Sequence, residues 1–360
     1  MKPGPHSSPP RVASAARRSD AGDRISAGDP GHDGSKRRSV RAAVSDYLEL
    51  AKARLGALVV LTTLVGYVLG ARGNPSMWVL FWTVFGTALS AFGANILNQW
   101  WEVERDRLML RTRNRPLPAG RVSRRQAAVM GIVTAMAGLL ILALGTNPLT
   151  TLLSLLVILI YVLVYTPLKV HTPLNTVVGA VCGAVPPMMG WAAATGRLDA
   201  GAWILGGILF VWQTPHFLAL AWLYREDYAR GGFRMLPAVD PEGLVTGRLA
   251  FVYAAALLPI TAALSVVGIT GGAFMLASQV AGLAFLVLGW VFLRARSEAA
   301  ARRLFLASIL YLPVVLGLMV IDMNDRATAG GFPGRHPVAA VATPPTPVAP
   351  SAFQPGQPTS

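Results

Sequence analysis

Between Asn98 and Asp106 the chain reads Asn-Gln-Trp-Trp-Glu-Val-Glu-Arg-Asp, so an amide and two carboxylates, Asn98, Glu102 and Asp106, recur at every fourth position. On a helix of 3.6 residues per turn this spacing puts all three on one face over a rise of about 12 Å. Oxygen ligands so arranged suit a hard cation such as Mg²⁺, which takes one or two carboxylates and completes its shell with water and phosphate. The same spacing also fits a solvated helix end in which Glu and Arg side chains pair. Directly downstream, Arg111, Arg113 and Arg115 lie in Arg-Thr-Arg-Asn-Arg-Pro-Leu-Pro, a set of cations fit to clamp diphosphate oxygens. A second acidic stretch, Glu226-Asp227 with Asp240 and Glu242 beyond it, is also edged by arginines. Two such stretches facing each other would hold a diphosphate through bridging Mg²⁺ and stabilise the charge it gains as a leaving group.

The elements that must position these residues lie in a membrane. Of 360 residues 53% are hydrophobic and 14% charged, against roughly 25% charged in a soluble domain, which excludes a soluble globular protein. Thirty-two Lys and Arg against 17 Asp and Glu leave a formal charge of +15. In so apolar a chain this excess reports basic loops rather than nucleic-acid binding, and no nucleic-acid partner is expected. A single cysteine, Cys182, excludes an intramolecular disulfide and any Cys-based metal cluster. Nine apolar stretches are long enough to cross a bilayer core of roughly 30 Å: about 55–72, 77–100, 127–145, 149–165, 175–194, 202–223, 249–268, 273–293 and 304–322. The fold class is thus an all-α integral membrane protein with nine transmembrane helices. The fourth stretch is short, and Pro186-Pro187 in the fifth are expected to break that helix and widen a cavity, with close packing of small residues as the other account of the glycines around them. Residues 1–45, rich in Ser, Gly, Pro, Arg and Asp, read as a disordered cytoplasmic arm whose aspartates argue against a transit peptide. Residues 46–323 form the membrane domain, and 324–360 a Pro-rich tail.

Loops after the second, fourth, sixth and eighth stretches carry seventeen Lys and Arg, whereas those after the first, third, fifth and seventh carry only Arg72 and Arg197. The asymmetry places the N-terminus in the cytoplasm and the C-terminus outside. Seven of the ten acids between Leu50 and Met323 then sit in two cytoplasmic loops, whose preceding helices run in the same direction. Arg121, Arg124 and Arg125 read as topology signal, and Trp78, Trp82, Trp100 and Trp101 as interfacial anchors. His216 is the only histidine inside a predicted span. An ionisable group there is a functional candidate, set against the plainer reading of a neutral imidazole bonded to a neighbouring helix. Gln213, three residues earlier, can share its inward face.

Taken together these segments, from about Tyr47 to Tyr311, resemble the intramembrane UbiA-type prenyltransferases. That family's first motif, Asn-x-x-x-Asp-x-x-x-Asp followed by Arg-Thr-Arg-Asn-Arg-Pro-Leu-Pro, is met by Asn98, Glu102, Asp106 and Arg111 to Pro118. Glu102 and Glu104 stand where aspartate is usual, which adds one methylene of reach. Tyr165-Thr-Pro-Leu-Lys169, Thr172, Asn175, Gly183 to Pro187 and Gly190-Trp191 resemble the family's fourth to fifth helices. Trp212-Gln213-Thr-Pro215-His216-Phe217, Asp227-Tyr228 and Gly232 to Pro237 resemble the branch that prenylates haem. Lys52-Ala53-Arg54 stands where Lys-Pro-Arg is common, and Gly231 where distant relatives have a second aspartate four residues after Asp227.

The resemblance implies a nine-helix bundle that moves a farnesyl group from farnesyl diphosphate to a vinyl group of haem b, giving haem O and diphosphate. It implies Mg²⁺ as cofactor on Asn98, Glu102, Asp106 and Asp227, with Glu226 a lesser candidate, and Lys169, Arg111, Arg113 and Arg115 on the diphosphate. His216, Gln213 and Trp212 become candidates for haem contact. The implied partners are the two substrates, membrane lipid and a haem A synthase. The implied location is the cell inner membrane, rather than the mitochondrial one, with the active site facing the cytoplasm. Two rivals are a sister enzyme acting on an aromatic quinone precursor, opposed by the Trp212 to Phe217 stretch, and a non-enzymatic transporter or haem-handling protein. A transporter would place its site near the midplane rather than in two acid loops at one face.

Overall fold

A chain crossing lipid must satisfy its own backbone N–H and C=O groups, so each apolar run becomes a helix. The computed structural model describes residues 40–323; the remainder of the expected arm and the tail lie outside the described residues. Among the described residues nine helices are long and apolar enough to span a membrane: Ala53–Ala71, Met77–Leu108, Arg124–Gly145, Pro148–Leu168, Asn175–Thr195, Ala200–Leu223, Leu244–Val266, Gly272–Ala295 and Glu298–Ile321. They are called the first to ninth spans below. Their starts follow local chemistry. Ser123 and Gln126 form a reciprocal capping box ahead of the third span, with Ser123 Oγ accepting from Gln126 N at 3.2 Å and Gln126 Oε1 from Ser123 N at 3.0 Å. Asn147 caps the fourth span with Pro148 at its first position, and Asp199 and Ser297 cap the sixth and ninth.

Three features depart from the sequence reading. A short helix, Val40–Leu50, begins inside the expected arm. Leu50 packs with Ile96, Val103, Leu117 and Ala127, while Asp46 and Glu49 hold Arg121 at 2.9 and 3.2 Å, so this segment has the contacts to be ordered. The fourth span reaches Leu168 by way of a π-helical turn over Ile160–Tyr165. The fifth span runs unbroken through Pro186 and Pro187. There the backbone is braced by a neighbour: a Cβ on Gly66 would strike the Pro187 carbonyl oxygen, and one on Gly190 that of Thr63. Small residues thus bring the first and fifth spans into backbone contact, which is the packing account of these glycines.

The fifth and sixth spans are the most enclosed, 61% and 67% buried, while the third, seventh and eighth are 28% buried and turn most of their surface outward. The sixth span carries Trp212, Gln213 and His216, whereas the acid motif lies on the second span, which is 33% buried. The loops after the second, fourth, sixth and eighth spans meet at one end of the bundle. There Arg105 donates to Gly231 O at 3.1 Å, Arg234 N to Lys169 O at 2.7 Å, and Arg225 lies 3.6 Å from Glu298.

Candidate functional site

The second span outlasts its apolar run by two turns, and Asn98, at the end of that run, shares one buried face with Glu102 and Asp106 of the extension, at 0%, 6% and 1% exposure. The helix is closed by Thr112, whose hydroxyl donates to Asp106 O at 2.8 Å. The solvated helix-end reading therefore fails for these three residues. It holds for Glu104, which is exposed and pairs with Arg107 at 2.7 Å and Arg124 at 3.3 Å.

Each member of the face meets a cation. Lys52 Nζ donates to Asn98 Oδ1 at 2.6 Å, Lys169 Nζ to Glu102 Oε1 at 2.7 Å, and Arg115 Nη1 to Asp106 Oδ2 at 3.0 Å. Asn98 also donates through Nδ2 to Thr166 Oγ1 at 2.9 Å, which joins the face to the end of the fourth span. Burial opposes the charge on Lys169, yet Glu102, with Tyr165 and Tyr161 nearby, holds its pKa above the ordinary lysine value. Lys52 goes the other way. Burial, then the charges of Arg115 and Lys169, lower it to about 7.

Lys52 had only a motif comparison in the sequence, and it is the site residue that sequence reasoning missed. It is a non-glycine residue in the left-handed region, φ 49° and ψ 54°, at the junction between the short N-terminal helix and the first span. That conformation costs about 1–2 kcal/mol and needs neighbours that enforce it. They are Asn95, donating to Ala51 O at 3.1 Å, and Gln99, donating to Leu50 O at 2.6 Å, the first about one turn before Asn98 and the second next to it on the same helix. The available signal was a polar stripe at 95, 98, 99 and 102 facing a lone lysine at the head of an apolar run. The π-helical turn was equally invisible. It stacks Tyr161 on Tyr165, centroids 5.3 Å apart, and places Tyr165 4.5 Å below Lys169 Nζ.

The expected arginine trio is divided. Arg115 joins the acid face. Arg111 turns to the other loop, its guanidinium 4.6 Å from Tyr224 and 5.3 Å from Tyr228, with a bond to the Tyr228 hydroxyl at 3.1 Å. There it lines a cavity of about 270 Å³ with Arg225, Glu226 and Arg230. Arg113 is exposed. Asp227 is buried, and its two oxygens accept from Leu110 N at 2.8 Å and Arg111 N at 3.2 Å, with Arg230 at 3.2 Å. It thus docks the arginine-bearing loop by its backbone. Glu226 is exposed, and Asp240 caps the seventh span through Thr246 N at 2.7 Å.

Among the described residues no three His, Cys, Asp or Glu side chains gather as a metal group. The second span offers instead two carboxylates and one amide oxygen, a set that fits Mg²⁺ sharing its shell with water and phosphate, and not a soft metal or an all-protein cage.

Deeper in the bundle, Gln213 and His216 point to different neighbours. Gln213 Nε2 donates to Ala180 O of the fifth span at 2.5 Å, whereas His216 Nδ1 lies 2.7 Å from Ser308 Oγ of the ninth. Trp212 stacks on His216 at 5.2 Å and donates through Nε1 to Ser308 O at 3.0 Å.

Comparison with known proteins follows the same outline. Residues 59–311 match the UbiA prenyltransferase family. A protoheme IX farnesyltransferase of Solibacter usitatus (strain Ellin6076) is 40% identical over 287 residues, covering 77% of this chain and 98% of that protein. A structure of a digeranylgeranylglyceryl phosphate synthase superposes with a TM-score of 0.67 at 15% identity, over 78% of this chain and 98% of its own. A UbiA homologue from Archaeoglobus fulgidus bound to GPP and Mg²⁺ superposes with a TM-score of 0.55 at 17% identity, over 76% and 99% of the two chains. At such identities the two structures establish the shared fold.

Proposed function

The chain belongs to the UbiA prenyltransferase family, and from that premise we propose that it transfers a farnesyl group from farnesyl diphosphate to a vinyl group of haem b, giving haem O and diphosphate. The observation that carries the reading is the buried Asn98, Glu102 and Asp106 face, ringed by Lys52, Lys169 and Arg115 at one end of an apolar bundle. The similarity to a protoheme IX farnesyltransferase supports haem as the acceptor.

Asn98, Glu102 and Asp106 would hold Mg²⁺, as support from a homologue bound to GPP and Mg²⁺ suggests. Bound there, Mg²⁺ supplies Lewis-acid stabilisation of the departing diphosphate. Lys169 and Arg115, released from their carboxylates, and Lys52 then meet diphosphate oxygens through charge-assisted hydrogen bonds. The C1–O bond of the farnesyl chain breaks with its electron pair leaving on diphosphate. The vinyl π pair forms the new C–C bond to C1, and the cation left on the adjacent vinyl carbon takes up water and loses a proton, producing the hydroxyethylfarnesyl group. Tyr165 and Tyr161 offer π faces beside Lys169 to the developing allylic cation. The apolar spans keep bulk water from that cation until the acceptor has captured it.

Asp227 serves this site by ordering the loop that bears Arg111 and Arg115, and Arg111 and Arg113 serve the outer edge of the same loop. His216, Gln213 and Trp212 form the haem side. The enzyme works in the cell inner membrane with this end of the bundle in the cytoplasm, a placement supported by the Lys and Arg asymmetry of the loops, and passes its product to a haem A synthase. Purified protein in lipid nanodiscs, given Mg²⁺, farnesyl diphosphate and haem b, should yield farnesylated, hydrated haem by mass spectrometry. Unmodified haem, with the prenyl group moving instead to 4-hydroxybenzoate supplied in parallel, would overturn the assignment.

A further inference from the structure

A serine hydroxyl has one proton to donate. Ser308 gives it to Phe305 O, 2.6 Å away and one turn back in its own helix. With its proton placed there, its oxygen accepts from His216 Nδ1 at 2.7 Å, and Nδ1 carries the hydrogen. In a neutral imidazole the other nitrogen, Nε2, is then unprotonated, with its lone pair available. No described residue bonds to Nε2, and His216 keeps partial exposure while Trp212, Gln213, Thr214 and Pro215 before it are buried. The ring itself is held firmly. It stacks on Trp212 at 5.2 Å with 23° between planes and lies 4.9 Å from Phe305. Trp212 in turn donates to the carbonyl of Ser308 at 3.0 Å. One residue of the ninth span thus sets both the tautomer of the histidine and the position of the indole packed on it.

We infer that Ser308 is a positioning residue, which locks His216 in its Nδ1–H form and so presents Nε2 as an axial ligand to the iron of the haem acceptor. The inference rests on the proposed function, which makes haem that acceptor. A histidine that ligates iron needs one bare nitrogen toward the metal and one N–H given to an outer acceptor that fixes the ring. The Ser308 hydroxyl is such an acceptor and is uncharged, so it directs the ring without placing a buried carboxylate in the lipid-spanning region. Ligation from one side fixes the plane of the porphyrin while its edge, where the vinyl groups lie, stays free to react.

The test is resonance Raman and optical spectroscopy of ferrous haem b bound to the full-length protein in nanodiscs, run beside the farnesyl-transfer assay. The wild type should show an iron–histidine stretch. His216→Ala should lose it and regain an iron–imidazole band on addition of imidazole. Ser308→Ala, a smaller side chain at a fully buried position, should keep bound haem with the stretch shifted or split into two populations, and Ser308→Thr should restore the single band. An unchanged band in Ser308→Ala would overturn the positioning role, and an unchanged band in His216→Ala would overturn ligation. A wild type that farnesylates haem without a His216-dependent band would overturn this inference alone. A wild type that neither binds nor farnesylates haem would overturn the proposed function and this inference with it.

Discussion

At the end of the second span Glu102 and Asp106 turn their carboxylates to cationic side chains, Lys169 at 2.7 Å and Arg115 at 3.0 Å. After the sixth span Asp227 also meets a cation, Arg230 at 3.2 Å, but turns both of its oxygens to backbone N–H groups, at 2.8 and 3.2 Å. In sequence both are acids among arginines at the same face of the bundle. The difference lies in what each can exchange. Lysine and arginine sit on flexible stems, so they can leave a carboxylate when a metal ion arrives and carry their charge to a bound diphosphate. A backbone amide has nowhere to go, and a carboxylate bonded to two of them is a cap on the loop that bears them. The first acid pair is therefore suited to binding, and Asp227 to holding the binding loop in shape.

Four substitutions separate these roles, and the largest effect is expected where a carboxylate meets metal and diphosphate. Asp106→Asn should lower farnesyl transfer by about 10²–10³-fold, the usual scale for losing a preorganised electrostatic contact at a leaving group, with the thermal midpoint little changed. Near-normal turnover would break the comparison outright. Asp227→Asn weakens charged hydrogen bonds worth about 1.5–3 kcal/mol, so turnover should fall by about 10–100-fold. It should do so with a lower melting midpoint, faster proteolysis between Met109 and Arg115, and an unchanged Mg²⁺ requirement. A raised Mg²⁺ requirement with unchanged stability would instead make Asp227 a metal ligand and erase the distinction. Lys169→Gln should raise the KM for farnesyl diphosphate by about tenfold with a smaller change in kcat, as steady-state kinetics would read for a group that binds the ground state and transition state alike. Glu226→Gln changes an exposed side chain and should alter turnover by less than about twofold. A larger loss there would return the second loop to the metal site.

The nine spans were legible because a bilayer leaves an apolar run little choice but helix, and the boundaries moved by only a few residues at most ends. The acid face was legible because a four-residue period means one helical face whatever surrounds it. Pro186-Pro187 misled, since proline weakens an isolated helix, whereas here Gly66 and Gly190 bring another backbone close enough to brace it. Arg111, Arg113 and Arg115 looked equivalent because they alternate along a loop, and a loop has no period from which to read direction.

Composition, hydropathy and spacing by themselves determined that this is a nine-helix membrane protein with one polar end, and which helix face carries Asn98, Glu102 and Asp106. These are properties of single elements in a known solvent, and short-range physics decides them. The tertiary structure alone decided which cation meets which oxygen, that Lys52 belongs to the site, that Asp227 reaches backbone, and that Ser308 orients His216. Apart from Arg115 with Asp106, nine residues away, those contacts join residues 46 to 117 positions apart. No local propensity encodes them; they exist because close-packed helices bring distant side chains within hydrogen-bonding distance.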